Sequence, residues 1–164
     1  MNSFSKYIVE YKKQLKKGII QKAYKGLMEY ILDLKTYLKS RHTDYYVSGS
    51  IYFGYMDMTY FSFTPKEFKQ RNLKIAIVFR HDIFRFEVWL GGYNKRVQKE
   101  YWMLFSGEDW NKYRVVPTTE GIDAIVEHVL VDDPDFADLD ALTQKIEDGV
   151  MGFIEDVECF LSEK

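Results

Sequence analysis

The stretch Leu73–Leu90, LKIAIVFRHDIFRFEVWL, decides the fold. It reads as two strands around a polar pair, His81-Asp82. With that pair as the loop, Arg80 pairs with Ile83 and every other pairing follows. Phe79 then faces Phe84, Ile77 faces Phe86, Ile75 faces Val88, and Leu73 faces Leu90. All four apolar pairs fall on one side of the sheet, because strand side chains alternate with a period of two. A one-residue slip would scatter them over both faces, so the register is well specified. The other side pairs Val78 with Arg85, Ala76 with Glu87, and Lys74 with Trp89. His-Asp is not a favoured two-residue turn, and the register argument survives a symmetric lengthening of the loop.

Upstream, Thr64-Pro65-Lys66-Glu67 reads as a capping threonine, a proline at N1 and a glutamate at N3, opening a short helix that ends near Asn72. Before it, Met58 to Phe63 reads as a strand. Tyr45, Val47, Ile51 and Phe53 alternate with Tyr46, Ser48, Ser50 and Tyr52 as another. The first forty residues carry two helical faces. Phe4, Tyr7, Ile8, Tyr11 and Leu15 form one, and Ile20, Ala23, Tyr24, Leu27, Ile31, Leu34 and Leu38 the other. Gly18 separates them and predicts an antiparallel helical hairpin.

Downstream, Gly91-Gly92 ends the strand and Val97, Tyr101, Leu104 and Phe105 mark a helix. Tyr113 to Val116 is a short extended piece before Pro117. Ile122, Ile125, Val126, Val129 and Leu130 share a helical face capped by Thr118 or Thr119. Asp132-Asp133-Pro134-Asp135 breaks it. A last long helix carries Leu139, Leu142, Ile146, Val150, Phe153, Ile154, Val157 and Leu161. The layout predicts a single α+β domain over 1–164. Its antiparallel sheet has four to five strands and is flanked by helices, with the N-terminal hairpin and the long C-terminal helix.

At 164 residues with 46% hydrophobic and 29% charged side chains, the chain has enough core to fold unstapled. Its one cysteine, Cys159, excludes an intramolecular disulfide and a multi-cysteine metal site, and reads as a small buried or semi-buried filler. The start Met1-Asn2-Ser3-Phe4-Ser5-Lys6 lacks the apolar core of a signal peptide, and no apolar run approaches bilayer length. A soluble cytoplasmic protein is expected, with no membrane partner. Aromatic residues reach 17%, which reads either as thick packing at the core margin or as a surface that stacks on a ligand or partner. Charge is uneven: residues 1–43 hold ten bases against three acids, and residues 120–164 hold two against fourteen. That asymmetry fits either mutual neutralisation of the first and last helices or a basic arm for polyanions. With a net charge of −2, nucleic acid ranks low as a partner.

No metal-ligand spacing joins His42, His81 and His128, and Walker, GxGxxG and nucleophile-elbow patterns are absent. Asp82, Glu87 and Lys74 resemble a hairpin-borne metal-nuclease set, but Trp89 stands where a lysine is wanted. No catalytic residue, metal or cofactor is therefore assigned. Gly91-Gly92-Tyr93-Asn94-Lys95-Arg96 joins a strand to a helix, a geometry that attracts anions or simply a tight turn with Asn94 as N-cap. The candidate ligand residues are Lys74, Arg85, Glu87, Trp89, Tyr93 and Asn94, on the polar face of the central hairpin and the turn beyond it. The competing reading packs a helix there over an internal Arg85–Glu87 salt bridge beside a buried Trp89.

The blocks GYMDMTYFSFTP (Gly54–Pro65), FRFEVWLGGYNK (Phe84–Lys95) and VEHVLVDDPDF (Val126–Phe136) resemble those of a small bacterial family of unknown function. The similarity spans almost the whole chain, including the helical start from Lys22-Ala23-Tyr24. The resemblance implies a bacterial, cytosolic, stand-alone domain and transfers no catalytic residue. The leading expectation is a binding or interaction module for a small anionic ligand or a protein. The alternatives are an enzyme on a small or nucleotide-like substrate and a nucleic-acid binder using the basic N-terminal helices.

Overall fold

The computed structural model describes residues 2–107 and 109–164. Its contacts divide into two compact units, the first running to Tyr37 and the second covering Leu38–Lys164. Helix α1 (Ser3–Lys17) starts at Asn2, whose side chain accepts a hydrogen bond from the Ser5 N–H at 2.9 Å. It stops at Gly18, which adopts the left-handed conformation (φ 73°) that glycine enters without a Cβ clash. Helix α2 (Ile19–Arg41) follows at once. The aromatic stripe of α1 stays exposed, and no residue of that helix is buried.

The second unit is built on a six-stranded antiparallel sheet. Its strands are β1 (Tyr46–Val47), β2 (Met58–Thr64), β3 (Leu73–Arg80), β4 (Arg85–Gly92), β5 (Arg114–Val115) and β6 (Val126–Asp132), in the spatial order β1-β2-β3-β4-β6-β5. Helices α3 (Lys66–Gln70), α4 (Lys95–Phe105) and α5 (Leu139–Ser162) complete it. The fold is α+β, as the periodicity predicts. The two-residue edge strands β1 and β5 fall within the expected extended segments 45–53 and 113–116, and the sixth strand, β6, is an addition to the expected sheet.

Four local expectations are corrected. The β3–β4 loop has four residues, His81 to Phe84, so Arg80 pairs with Arg85, Phe79 with Phe86, Ile77 with Val88 and Ile75 with Leu90. The register is therefore two residues from the expected one. An even shift preserves every face, so only the cross-strand partners change. Ala76 now faces Trp89, Val78 faces Glu87, and Lys74 faces Gly91. Phe84 leaves the strand at φ 51°, where its ring packs edge-on against Phe79 at 5.1 Å.

The expected strand over 45–53 is broken. Val47 pairs with Phe63 while Tyr52 bridges Tyr60, so four residues on one side oppose two on the other, and the chain bulges through Gly49-Ser50. Thr64 does not cap α3. It belongs to β2, and its hydroxyl bonds the Ile75 backbone across the sheet, accepting from N–H at 3.1 Å. The largest correction is Val126–Asp132, a strand rather than a helix. Its run of β-branched residues suits either state, and pairing with β4 on one side and β5 on the other decides it.

One sheet face is apolar. Phe61, Phe63, Ile75, Ile77, Phe79, Phe86, Val88 and Leu90 are essentially buried, as are Ile146, Val150, Phe153 and Val157 of α5. α4 joins this layer through Phe105, whose ring lies 4.8 Å from that of Phe160 on α5. α3 joins it through the Arg71 guanidinium beyond its end, which reaches the Leu161 carbonyl at 3.4 Å. His128 lies opposite Val88, beside Tyr113 at 4.5 Å and stacked toward Phe153 at 6.4 Å. Burial raises the Tyr113 hydroxyl to about 12, helped by its hydrogen bond to Asp156. Cys159, expected in this packing, is exposed.

Two predictions follow from this packing. Phe86→Ala removes a fully buried ring and should cost about 3–5 kcal/mol in chemical denaturation. Acid should weaken the protein above the carboxylate range as well as within it. Burial holds His128 and His81 below the ordinary histidine value, with Asp57 and Asp82 partly opposing the effect at His81. Native neutral imidazoles stabilise the fold fully above the unfolded value of 6.5, and that contribution is lost as pH falls through the folded values. The melting temperature should therefore drop from pH 7.5 to 5.5, and His128→Phe should flatten that drop.

Candidate functional site

The apolar face commits alternate residues to the opposite one, and the register there places small side chains together. Ser62 of β2 pairs with Ala76 of β3, and Ala76 pairs with Trp89 of β4. One step along, Lys74 pairs with Gly91; one step the other way, Tyr60 pairs with Val78. Ser62, Ala76 and Gly91 thus form a low floor between taller neighbours. The result is a dish of about 250 Å³ lined by Met58, Tyr60, Ser62, Lys74, Ala76, Trp89, Gly91 and Asp123. Tyr60, Ala76 and Trp89 are half-buried and Lys74 is exposed.

Trp89 is held in place from behind. Its indole Nε1 donates to Glu87 Oε2 at 2.9 Å, while Arg85 donates to Glu87 Oε1 from Nε at 3.0 Å and Nη2 at 2.7 Å. Glu87 is only 1% exposed, so these donors replace the water it has lost. Arg80 stands farther off, its Nη1 3.9 Å from the same oxygen, with its main bond to Asp82 at 2.6 Å. The Arg85–Glu87 bridge of the packing alternative is therefore present, and it fixes the indole at the edge of the dish.

Asp123 arrives on the loop before β6, and two features bring it there. A Cβ on Gly91 would lie 2.8 Å from the Asp123 carbonyl, so only glycine lets that loop cross the strand so closely. Gln98 of α4, 7% exposed, then clamps the loop. Its amide donates to the Ala124 carbonyl at 2.9 Å and the Ile122 carbonyl at 3.3 Å, and its oxygen accepts from the Gly92 N–H at 2.7 Å. Among the described residues neither Lys74 nor Asp123 takes part in an ion pair. Burial, then the Asp123 charge and Tyr52, raise the Tyr60 hydroxyl above its ordinary value, so it keeps its proton at neutral pH.

Of the residues named from sequence, Lys74 and Trp89 line the dish, though diagonally rather than as cross-strand partners. Arg85 and Glu87 stand behind Trp89. Tyr93 projects away, 76% exposed, and Asn94 caps α4 by accepting from the Val97 N–H at 3.0 Å. Sequence reasoning missed Met58, Tyr60, Ser62, Ala76, Asp123 and the clamp Gln98. Alternation within Met58–Phe63 already separates Met58, Tyr60 and Ser62 from Phe61 and Phe63. Only the strand pairing sets them beside Ala76, and no local pattern signals Asp123.

Glu87→Ala should cost about 1–3 kcal/mol, because the partly exposed Arg85 and the Trp89 indole N–H then lose their acceptor. Gln98→Ala should cost about 1–3 kcal/mol by orphaning the Ala124 carbonyl and the Gly92 N–H. Chemical denaturation reads both. Hydrogen exchange in Gln98→Ala should rise first across residues 119–125.

No curated protein and no solved structure matches this chain. A family model does, over residues 4–161, nearly end to end. The chain belongs to the family described as a domain of unknown function, DUF7000.

Proposed function

We propose that this chain is a binding module that holds a small planar ligand carrying an anionic group in the dish beside Trp89. The observation that supports the reading is the meeting of Trp89 and Tyr60 rings, an ammonium and a carboxylate over a floor of small residues. A ring stacks on the indole, the anionic group takes Lys74, and N–H donors of the ligand take Asp123, which meets the dish at Gly91 as Lys74 does. A space of about 250 Å³ suits one substituted ring system rather than a drug-sized molecule. A protonated Tyr60 serves as a hydrogen-bonding wall of the dish.

Tryptophan-fluorescence titration with 4-aminobenzoate, benzoate and 5′-AMP tests the reading. Wild-type protein should respond to 4-aminobenzoate more strongly than to benzoate, and Asp123→Asn should erase that preference. Lys74→Ala should weaken every anionic probe about tenfold, the order expected for a lost charge-assisted bond, with no change in melting temperature. Equal binding by Lys74→Ala, or no response to any probe at millimolar concentration, overturns the proposal.

A further inference from the structure

Helix α1 carries an exposed apolar stripe and a lysine-rich face. At about 100° per residue, Phe4, Tyr7, Ile8, Tyr11 and Leu15 fall within an arc of roughly 100°. Lys6, Lys12, Lys13, Lys16 and Lys17 occupy the opposite side, with Val9 the one apolar residue among them. The single acid, Glu10, is drawn to Lys13 at 3.8 Å and accepts from Gln14 at 2.6 Å. Phe4 is 68% exposed, Tyr7 70% and Tyr11 58%, and Ile19, just past Gly18, is 69% exposed. Separate single exposed apolar residues need no explanation, but a stripe of them running from Phe4 to Leu15 on one helix face does.

We propose that α1 is a surface anchor for an anionic phospholipid bilayer. The helix lies in the plane of the interface, its stripe sunk between the headgroups and acyl chains and its lysines toward anionic lipid. Among the described residues no helix is long and apolar enough to cross a membrane, so the contact is peripheral. Charge favours this occupant over others. Nucleic acid would engage the lysines and leave the stripe in water. A partner helix would cover the stripe but leave most of the five lysines on the far side of α1, beyond the reach of its side chains. An anionic bilayer satisfies both faces at once.

The test is co-sedimentation of the full chain with vesicles of phosphatidylcholine alone and of phosphatidylcholine with an equal part of phosphatidylglycerol. Binding is expected only to the anionic vesicles and should fade with added salt. The Tyr7→Ser/Tyr11→Ser variant, with every lysine kept, should bind at least about tenfold more weakly, because apolar burial is lost. Its melting temperature should match wild type, since α1 buries none of its residues. Failure to bind anionic vesicles overturns the proposal, as does undiminished binding by the variant. A large fall in the variant's melting temperature also overturns it, because the stripe would then be packed within the protein. Binding of a duplex oligonucleotide equally by wild type and variant, without vesicle binding, would assign the lysines to nucleic acid instead.

Discussion

The rows Phe79–Phe86, Ile77–Val88 and Ile75–Leu90 are the constraint on which the second unit rests. Burying six large apolar side chains from two adjacent strands leaves the pleat no freedom. Lys74, Ala76, Arg85, Glu87 and Trp89 must point the other way, whatever else the chain does. α3, α4 and α5 then assemble against the apolar side, where Phe105, Phe160 and Phe153 continue the packing. On the opposite side Val78 and Glu87 are buried while Tyr60, Ala76 and Trp89 stay half-exposed, and the dish forms beside them.

A buried carboxylate in the middle of that side is costly on its own. Glu87 is tolerated because a guanidinium and an indole N–H fill both of its oxygens from the same strand, two residues to either side. Period-two alternation alone brings these three side chains together, so the arrangement needs no distant partner. The consequence is a tryptophan whose ring cannot swing freely. Gly91 and Gly92 do the complementary work at the strand's end. Their missing Cβ atoms let the Asp123 loop and the start of α4 approach the sheet, and Gln98 fills the gap with hydrogen bonds.

Much of this was legible in the residues. Helix α5, the Gly18 break, the α4 start at Asn94 and the face of every residue in β3 and β4 all follow from local spacing. Where an equally good local pattern had two uses, the sequence could not choose. Thr64 before Pro65 is a sound capping signal, yet its hydroxyl serves β3. Val126–Leu130 has a helical face and a strand's β-branched composition, and the free edge of β4 claims it for the sheet.

Alternation thus determines which face each strand residue joins, because it depends only on the geometry of a single chain. Pairing determines which residues on a face become neighbours, because it depends on loop length and on the edges other strands leave open. The four-residue loop His81 to Phe84 moved Trp89 from Lys74 to Ala76 without changing either residue's face. That shift opened the floor of the dish. Asp123 joined it from more than thirty residues away through a hydrogen-bonded loop with no sequence signature, so its place was decided by tertiary structure alone.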